Sequence, residues 1–398
     1  MYVECLTCHG DITARVQIGS EQVQPVVIAC PHCQTELRFD LQLQDPPNVG
    51  VQWIENCTGG TKEGKIINVG AGFAINKERV HDDMYFPSFE LFNRLAKSQV
   101  LGRMVRSVEQ QKADANLEFG EQLGLTDIAR TVRKAWQLHR ANRADLRDRQ
   151  MEEFRRISSA PATSIHDVLA AFNLILLSPK EDVALSPLEA RLDDAYNKNG
   201  SELIRLAIEW REKHIVDRLD NYLDLIKEYI RGFGDFSQTL IYAKLRENPG
   251  EDRLASSTDF DSTKMFYGNA FELLGSHLDF VAALNNILQG RQFDRLEKLS
   301  LAQYRALNKA SRTTCFESDA ALRMLTEEYD STIRNASHHR WFKLDQSRKN
   351  ISFRWGGTGA ERVMTYADYL YRCNRMLLQI AALVNLELIL LKRARQSL

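Results

Sequence analysis

Six consecutive residues, Arg334-Asn335-Ala336-Ser337-His338-His339, bring together a permanent cation, a carboxamide and two imidazoles. Those types suit the cleavage of RNA without a metal. The ribose 2′-OH attacks its own phosphate, so a group titrating near neutral pH must move a proton while a fixed cation stabilises charge growing on the phosphoryl oxygens. Histidine fills the first role, and the planar guanidinium of arginine matches two phosphate oxygens at once. On a helix, Asn335 and His339 stand four residues apart and share a face, where the amide could hold the imidazole in one tautomer. Arg334 and His338 form the same kind of pair one step round. Spacing alone therefore leaves both histidines in contention.

An Arg, then a polar residue, then a His after a short gap near the C-terminal end of a helix resembles the signature of the HEPN superfamily. Arg334, Asn335 and His339 match that pattern with four residues between Arg and His, and His338 lies one residue closer than the pattern allows. The resemblance covers roughly residues 201–398. It implies a four-helix bundle with the motif at the end of the third helix. It also implies a metal-independent endoribonuclease of the toxin, abortive-infection or antiviral kind, leaving 2′,3′-cyclic phosphate and 5′-OH ends. In that scheme Arg334 stabilises transition-state charge, His339 (with His338 second) serves as general acid or base, and Asn335 orients the imidazole or a phosphate oxygen. The family pairs two bundles so that both motifs line one cleft, which implies a homodimer.

The motif needs helices to position it, and apolar periodicity supplies them. Ile215, Leu219, Tyr222, Ile226 and Tyr229 recur in steps of three and four and mark one helix face, with Gly232 and Gly234 ending it. A second helix is expected from about Thr263 to Leu288, with Phe266, Ala270, Leu273, Leu274, His277, Val281, Leu284 and Leu288 inward. A third begins near Ser318, turns Leu322, Leu325, Tyr329 and Ile333 to one face and runs into Arg334. The stretches at 341–344 and 351–355 flank a polar turn and read as a β-hairpin, followed by a last helix from about Thr365 to Leu391. Its run from Met376 to Leu391 holds Gln379, Asn385 and Glu387, which makes it a core helix rather than a bilayer span. His277 reads as a satisfied core histidine and His214 as a surface one.

A second constellation lies at the other end of the chain. Cys5-x2-Cys8 and Cys30-x2-Cys33 form two knuckles separated by 21 residues, the spacing of a four-cysteine zinc ribbon. Strands are expected at 11–18, 24–28 and 36–44. The chain opens Met-Tyr-Val-Glu-Cys, has no basic and apolar leader and contains seven cysteines, so a cytoplasmic setting is expected, where thiolates bind metal rather than pair as disulfides. His9 and His32 stand beside the knuckles as neighbours or alternative ligands. Cys57, Cys315 and Cys373 read as packed thiols. Structural zinc is the expected cofactor, with none needed for catalysis.

Residues 46–80 carry short strand patterns at 51–54, 65–69 and 72–75, and helices are expected near 88–108 and 127–156. The second of these places Arg133, Trp136, Arg140, Arg143 and Arg147 at steps of three and four, a stripe suited to tracking an RNA backbone and stacking a base. Asp145, Asp148, Glu152 and Glu153 are interleaved, so a salt-bridged solvent face is the competing reading. With 52 basic and 53 acidic side chains there is no global field to attract nucleic acid, and any RNA site must be local.

The expected architecture is mainly α. A zinc ribbon occupies 1–45, a small β-rich extension 46–86, a helical middle region 87–200 and the HEPN-like bundle, with its hairpin insertion, 201–398. Expected partners are RNA, a second copy of the chain and a regulatory protein; no membrane is expected. The rival reading makes the bundle a catalytically silent dimerisation or partner-binding module and the ribbon a nucleic-acid or protein adaptor.

Overall fold

The computed structural model describes residues 1–18, 22–44, 48–70, 72–87, 89–90, 93, 124–338, 341–345, 349–354 and 359–397. The chain begins with eight strands: β1 (Tyr2–Cys5), β2 (Asp11–Gln17), β3 (Val23–Ala29), β4 (Glu36–Leu43), β5 (Val49–Glu55), β6 (Cys57–Gly59), β7 (Lys65–Gly70) and β8 (Ile75–Asn76). Helices α1 (Leu125–Arg140), α2 (Ala144–Ser158), α3 (Ile165–Leu177), α4 (Glu181–Lys213), α5 (Ile215–Arg231) and α6 (Phe233–Leu245) follow. Then come β9 (Arg253–Leu254), α7 (Phe260–Lys264), α8 (Phe266–Leu288), α9 (Leu301–Arg305), α10 (Ala320–Arg323) and α11 (Ser331–His338). Strands β10 (Lys343–Leu344), β11 (Asn350–Arg354) and β12 (Glu361–Thr365) precede the last helix, α12 (Tyr366–Ser397). The helix expected over 88–108 falls largely outside the described residues.

Two compact units are present, and they cut across the four expected segments. One is Met1–Arg106, Arg231–Met265 and Asn335–Asn374; the other is Ser107–Ile230, Phe266–Arg334 and Arg375–Leu398.

In the first unit, β6-β1-β2-β7 form one sheet and β3-β4-β5 another. Period-two alternation buries Ile12 and Ala14 on β2 and Leu37, Phe39 and Leu41 on β4, and these meet Val3, Val26, Ile28, Ile67 and Val69 in a single core. Residues 46–86 are therefore no separate extension: β5 completes the β3-β4 sheet, while β6 and β7 flank β1 and β2. Strand β7 runs parallel to β2, Ile12 opposite Lys65 through Gln17 opposite Gly70. Gly64 permits that approach, because a Cβ there would collide with the Asp11 carbonyl. The β8–β9 pair, Ile75 opposite Leu254, belongs to the same unit. The hairpin expected after the motif is present as β10–β11, and β12 adds a third strand.

In the second unit the expected inward faces are largely buried: Ile215, Leu219, Tyr222, Ile226 and Tyr229 on α5, and Phe266, Ala270, Leu274, His277, Val281 and Leu284 on α8, while Leu273 and Leu288, at the edge of that face, are half-buried. Helix α12 is long and apolar enough to cross a membrane, yet 94% of its most apolar window is buried inside the protein, as befits the core helix its polar residues suggest.

The third expected helix departs from the reading. Instead of one helix from Ser318 to Arg334, the chain forms the short α10, a 3-10 turn over Met324–Thr326 and a fresh start at α11. The cause is a set of better local partners. Asp319 Oδ1 accepts the amides of Ala321 and Leu322 and starts α10. The Tyr267 hydroxyl then donates to the Glu328 carbonyl and accepts the Asp330 N–H, satisfying backbone groups that a continuous helix would have paired. Asp330 Oδ1 accepts the Thr332 N–H at 2.7 Å and opens α11. Leu322, Leu325 and Ile333 are nonetheless buried as expected.

Candidate functional site

The two cysteine knuckles are built alike. In the first, His9 N–H donates to the Cys5 carbonyl at 2.8 Å and Cys5 N–H to that of Gly10 at 3.2 Å; in the second, Gln34 N–H donates to Cys30 at 2.9 Å and Cys30 N–H to Thr35 at 2.8 Å. His9 and Gln34, at φ 55° and 65°, supply the left-handed residue that closes each turn. These turns bring the Sγ atoms of Cys5, Cys8, Cys30 and Cys33 within 4.8 Å of one another. Cys5 and Cys33 stand 3.8 Å apart, Cys8 and Cys30 3.7 Å. A tetrahedral ion bonded to sulfur at about 2.3 Å sets its sulfurs about 3.8 Å apart, whereas a disulfide would bring them to about 2.05 Å. The donor set thus fits a tetrahedral metal.

Thr35, through its hydroxyl and its backbone, holds the Cys33 thiol below its ordinary pKa and favours the thiolate, the form that binds metal. His9 pairs with Glu4 at 3.0 Å and His32 Nε2 donates to the Asp11 carbonyl at 3.1 Å, so both histidines are engaged outside the four-sulfur set. Cys57 and Cys373 are buried and Cys315 half-buried, consistent with packed thiols.

Arg334, Asn335 and His338 sit on α11, and the boundary of the two units falls between Arg334 and Asn335. Ile333, Ala336 and Ser337 form the buried face of this helix, while Arg334, Asn335 and His338 are half-buried. In the second unit, Glu272 of α8 accepts Arg334 Nε at 2.7 Å and Nη2 at 2.6 Å on the same oxygen, Oε1. Its other oxygen takes the Lys309 ammonium at 2.6 Å. Burial pushes the Glu272 carboxyl upward, but Lys309 and Arg334 outweigh it and hold it below the usual range. Phe271 stacks on Tyr329 at 3.8 Å between ring centroids beside this pair. In the first unit, the His338 Nε2 is buried with no hydrogen-bond partner among the described residues. His339 lies outside the described residues.

The basic stripe does not form the expected surface. Asn142, at φ 57°, breaks the helix between α1 and α2, so Arg143 and Arg147 no longer continue the face of Arg133. Trp136 is buried and donates its indole N–H to Asp220 at 2.6 Å, which removes it as a base-stacking platform. Arg133 Nε donates to the Leu223 carbonyl, Arg140 pairs with Asp220 at 3.4 Å, Arg143 lies 3.9 Å from Asp145 and Arg147 2.7 Å from Asp148. The interleaved acids compensate the charge locally, and the aromatic serves the core because α1 packs its apolar side inward.

A third constellation escaped the sequence reading. Arg218 of α5, 8% exposed, donates from Nη1 to Glu387 of α12 at 2.6 Å and from Nη2 to Asp279 of α8. Arg305 Nε reaches the other oxygen of Asp279 at 2.7 Å, and its Nη2 donates to His214 Nε2 at 3.2 Å. His277 Nδ1 lies 3.2 Å from Glu387, but its Nε2 and Glu387 Oε2 are buried without hydrogen-bond partners among the described residues. His277 is thus only half satisfied. His214, expected on the surface, is half-buried against Trp210 at 4.8 Å between rings. Burial, with the Arg218 charge beside it, holds the His277 pKa low; burial pushes Asp279 up, but Arg218 and Arg305 outweigh it and hold it below the carboxylate range. A signal did exist in the sequence, since each of Arg218, Asp279 and Glu387 interrupts an apolar helix face. Comparison of the chain with protein-family models, with curated proteins and with solved structures gives no match.

Proposed function

We propose that the chain is a metal-independent endoribonuclease of the HEPN type, in which α5, α8, α11 and α12 form the family's four-helix bundle. The observation that carries the reading is the setting of Arg334. Its guanidinium stands half-buried on α11, one turn before His338 in the chain, with a second cation, Lys309, on the same carboxylate. Two cations converging on one carboxylate mark a place where a phosphate could take over the carboxylate's role. A scissile phosphate that displaces Glu272 would receive the guanidinium fork, His339 or His338 would move the proton, and Asn335 would orient the imidazole or a phosphate oxygen. A homodimer would bring two motifs to one RNA cleft and supply both acid and base. In cells this activity would serve bacterial defence or a toxin-like role in the cytoplasm, under a regulatory partner. Zinc held by Cys5, Cys8, Cys30 and Cys33 would be structural, cross-linking the two knuckles and lying outside the chemistry.

One observation favours the silent-module reading: Glu272 already occupies two nitrogens of Arg334. The deciding experiment is incubation of purified protein with RNA in excess EDTA, followed by end analysis. Cleavage that leaves 2′,3′-cyclic phosphate ends and is lost in both Arg334→Ala and His339→Ala is expected. No cleavage by a folded dimer, or cleavage that persists in Arg334→Ala, would exclude this chemistry and leave the adaptor.

A further inference from the structure

The first unit contains a cavity of about 170 Å³ unconnected with the RNA chemistry proposed above. Its apolar wall comes from Ile67, Ile75, Val80 and Leu254, among other side chains of the β-sheet core, and its polar wall from Lys65, His81 and Lys349. None of these three polar groups sits in an ion pair among the described residues. His81 Nδ1 donates to the Ile66 carbonyl at 2.7 Å, which fixes the ring and commits that nitrogen as a donor. The turn bearing His81 is tied down by the Asn68 amide, which donates to the carbonyls of Arg79, Val80 and Asp82 at 2.9–3.1 Å. Lys349 enters at the start of β11, where Asp345 accepts its backbone N–H at 2.9 Å and its carbonyl accepts Tyr366 N–H at 2.7 Å.

Neither the Lys65 nor the Lys349 ammonium has a hydrogen-bond or ion-pair partner among the described residues. Lys349 is half-buried. Glu36 is the one acid in the lining, and it is engaged by Arg38 Nε at 2.5 Å. Asp345 gives Lys349 a nearby counter-charge without pairing with it, but Asp345 is not in the lining, and a cavity with an apolar wall, two unpaired ammonium groups and an imidazole carries net positive charge. Burial, which lowers the Lys349 pKa, adds to the advantage an anion would gain by entering.

We propose that this cavity binds a small phosphate monoester with an apolar body. Two ammonium groups, with a His81 Nε2 that can accept the proton of a monoester because Nδ1 carries the ring's own, match the three peripheral oxygens and the titratable O–H of such a group better than the two oxygens of a carboxylate. The volume lies below the roughly 300 Å³ at which drug-sized ligands are enclosed, which restricts the body to a single small ring or branched chain.

Phenyl phosphate is the probe, titrated into the full-length protein by calorimetry, with phenol and inorganic phosphate as the two halves of the ligand. The expected result is one site per chain, about tenfold or more tighter for phenyl phosphate than for inorganic phosphate, and no heat with phenol. Lys349→Met should weaken it by about tenfold, the loss of one charge-assisted contact. Lys65→Met, at an exposed position that folding tolerates, should weaken it by several-fold and decides the matter if the first variant misfolds. Equal affinity for phenyl phosphate and inorganic phosphate would mean surface charge without a pocket and would overturn the proposal. So would the absence of binding at millimolar probe, or binding untouched by loss of the lysine.

Discussion

Replacing Arg218 with Met removes the cation at the centre of the buried network while keeping most of the side-chain volume. The two carboxylates it serves fare differently. Asp279 retains Arg305 at 2.7 Å, whereas among the described residues Glu387, fully buried, keeps His277 alone at 3.2 Å and has a second oxygen with no hydrogen-bond partner. Most of the cost therefore falls on Glu387. Breaking a buried pair by deleting one partner costs about 3–5 kcal/mol, and for a unit of this size each kcal/mol lowers the melting temperature by about 2–4 °C, so a drop of about 6–20 °C is expected. The Arg218 guanidinium also lies 5.0 Å from the Trp210 ring, and that contact is lost too. Urea unfolding and calorimetry of the variant measure the effect. Adding Glu387→Leu should restore at least half of the loss, because an apolar pair in place of a buried ion pair is often neutral or better. A single variant that costs less than about 1 kcal/mol, or a double variant no more stable than the single, would refute the argument that the network is held by charge compensation.

Acid should weaken the fold in a definite order. His139, His214 and His277 all have pKa values lowered by burial, so the folded chain binds fewer protons than the unfolded one; their contribution is complete above about pH 6.5 and falls as pH drops through the folded values, with Asp279 adding a further loss below about pH 4. Urea midpoints should fall between pH 7.5 and 5.5, and a flat profile would contradict the burial of His277. Purified protein should carry about one metal ion per chain, which Cys5→Ser with Cys30→Ser removes; elemental analysis showing full retention would reassign the site. Glu272→Gln, by removing the negative charge that Arg334 and Lys309 share, should tighten RNA binding severalfold in a filter assay, whereas weaker binding would make Glu272 the residue that positions Arg334. Arg143→Ala, removing an exposed and locally compensated charge, should change stability by less than about 0.5 kcal/mol and leave the salt dependence of RNA binding unaltered; a shallower slope would return the stripe to the RNA surface.

Local features of this protein could be read without its structure because they depend on a few neighbouring residues. A Cys-x2-Cys turn closes through the backbone of five or six residues, so the two knuckles and their meeting at one point follow from spacing. The inward faces of α5 and α8 follow from 3.6-residue periodicity, and the hairpin after the motif from two short β-forming runs around a turn. Pairings between distant residues were decided by packing. Nothing near Lys65 announces that β7 will lie parallel to β2, nor does β5 declare that it completes the sheet of β3 and β4; both choices rest on which edges remain open once the core is filled. The break before α11 depends on a hydroxyl from Tyr267, some 60 residues away, and Trp136 left the basic stripe because Asp220 offered its indole a buried partner. The same holds for charge. Sequence shows that Arg218, Asp279 and Glu387 interrupt apolar faces, but only the tertiary structure brings a cation from α5 between carboxylates of α8 and α12, because the low dielectric of a shared core makes each of them costly without the others.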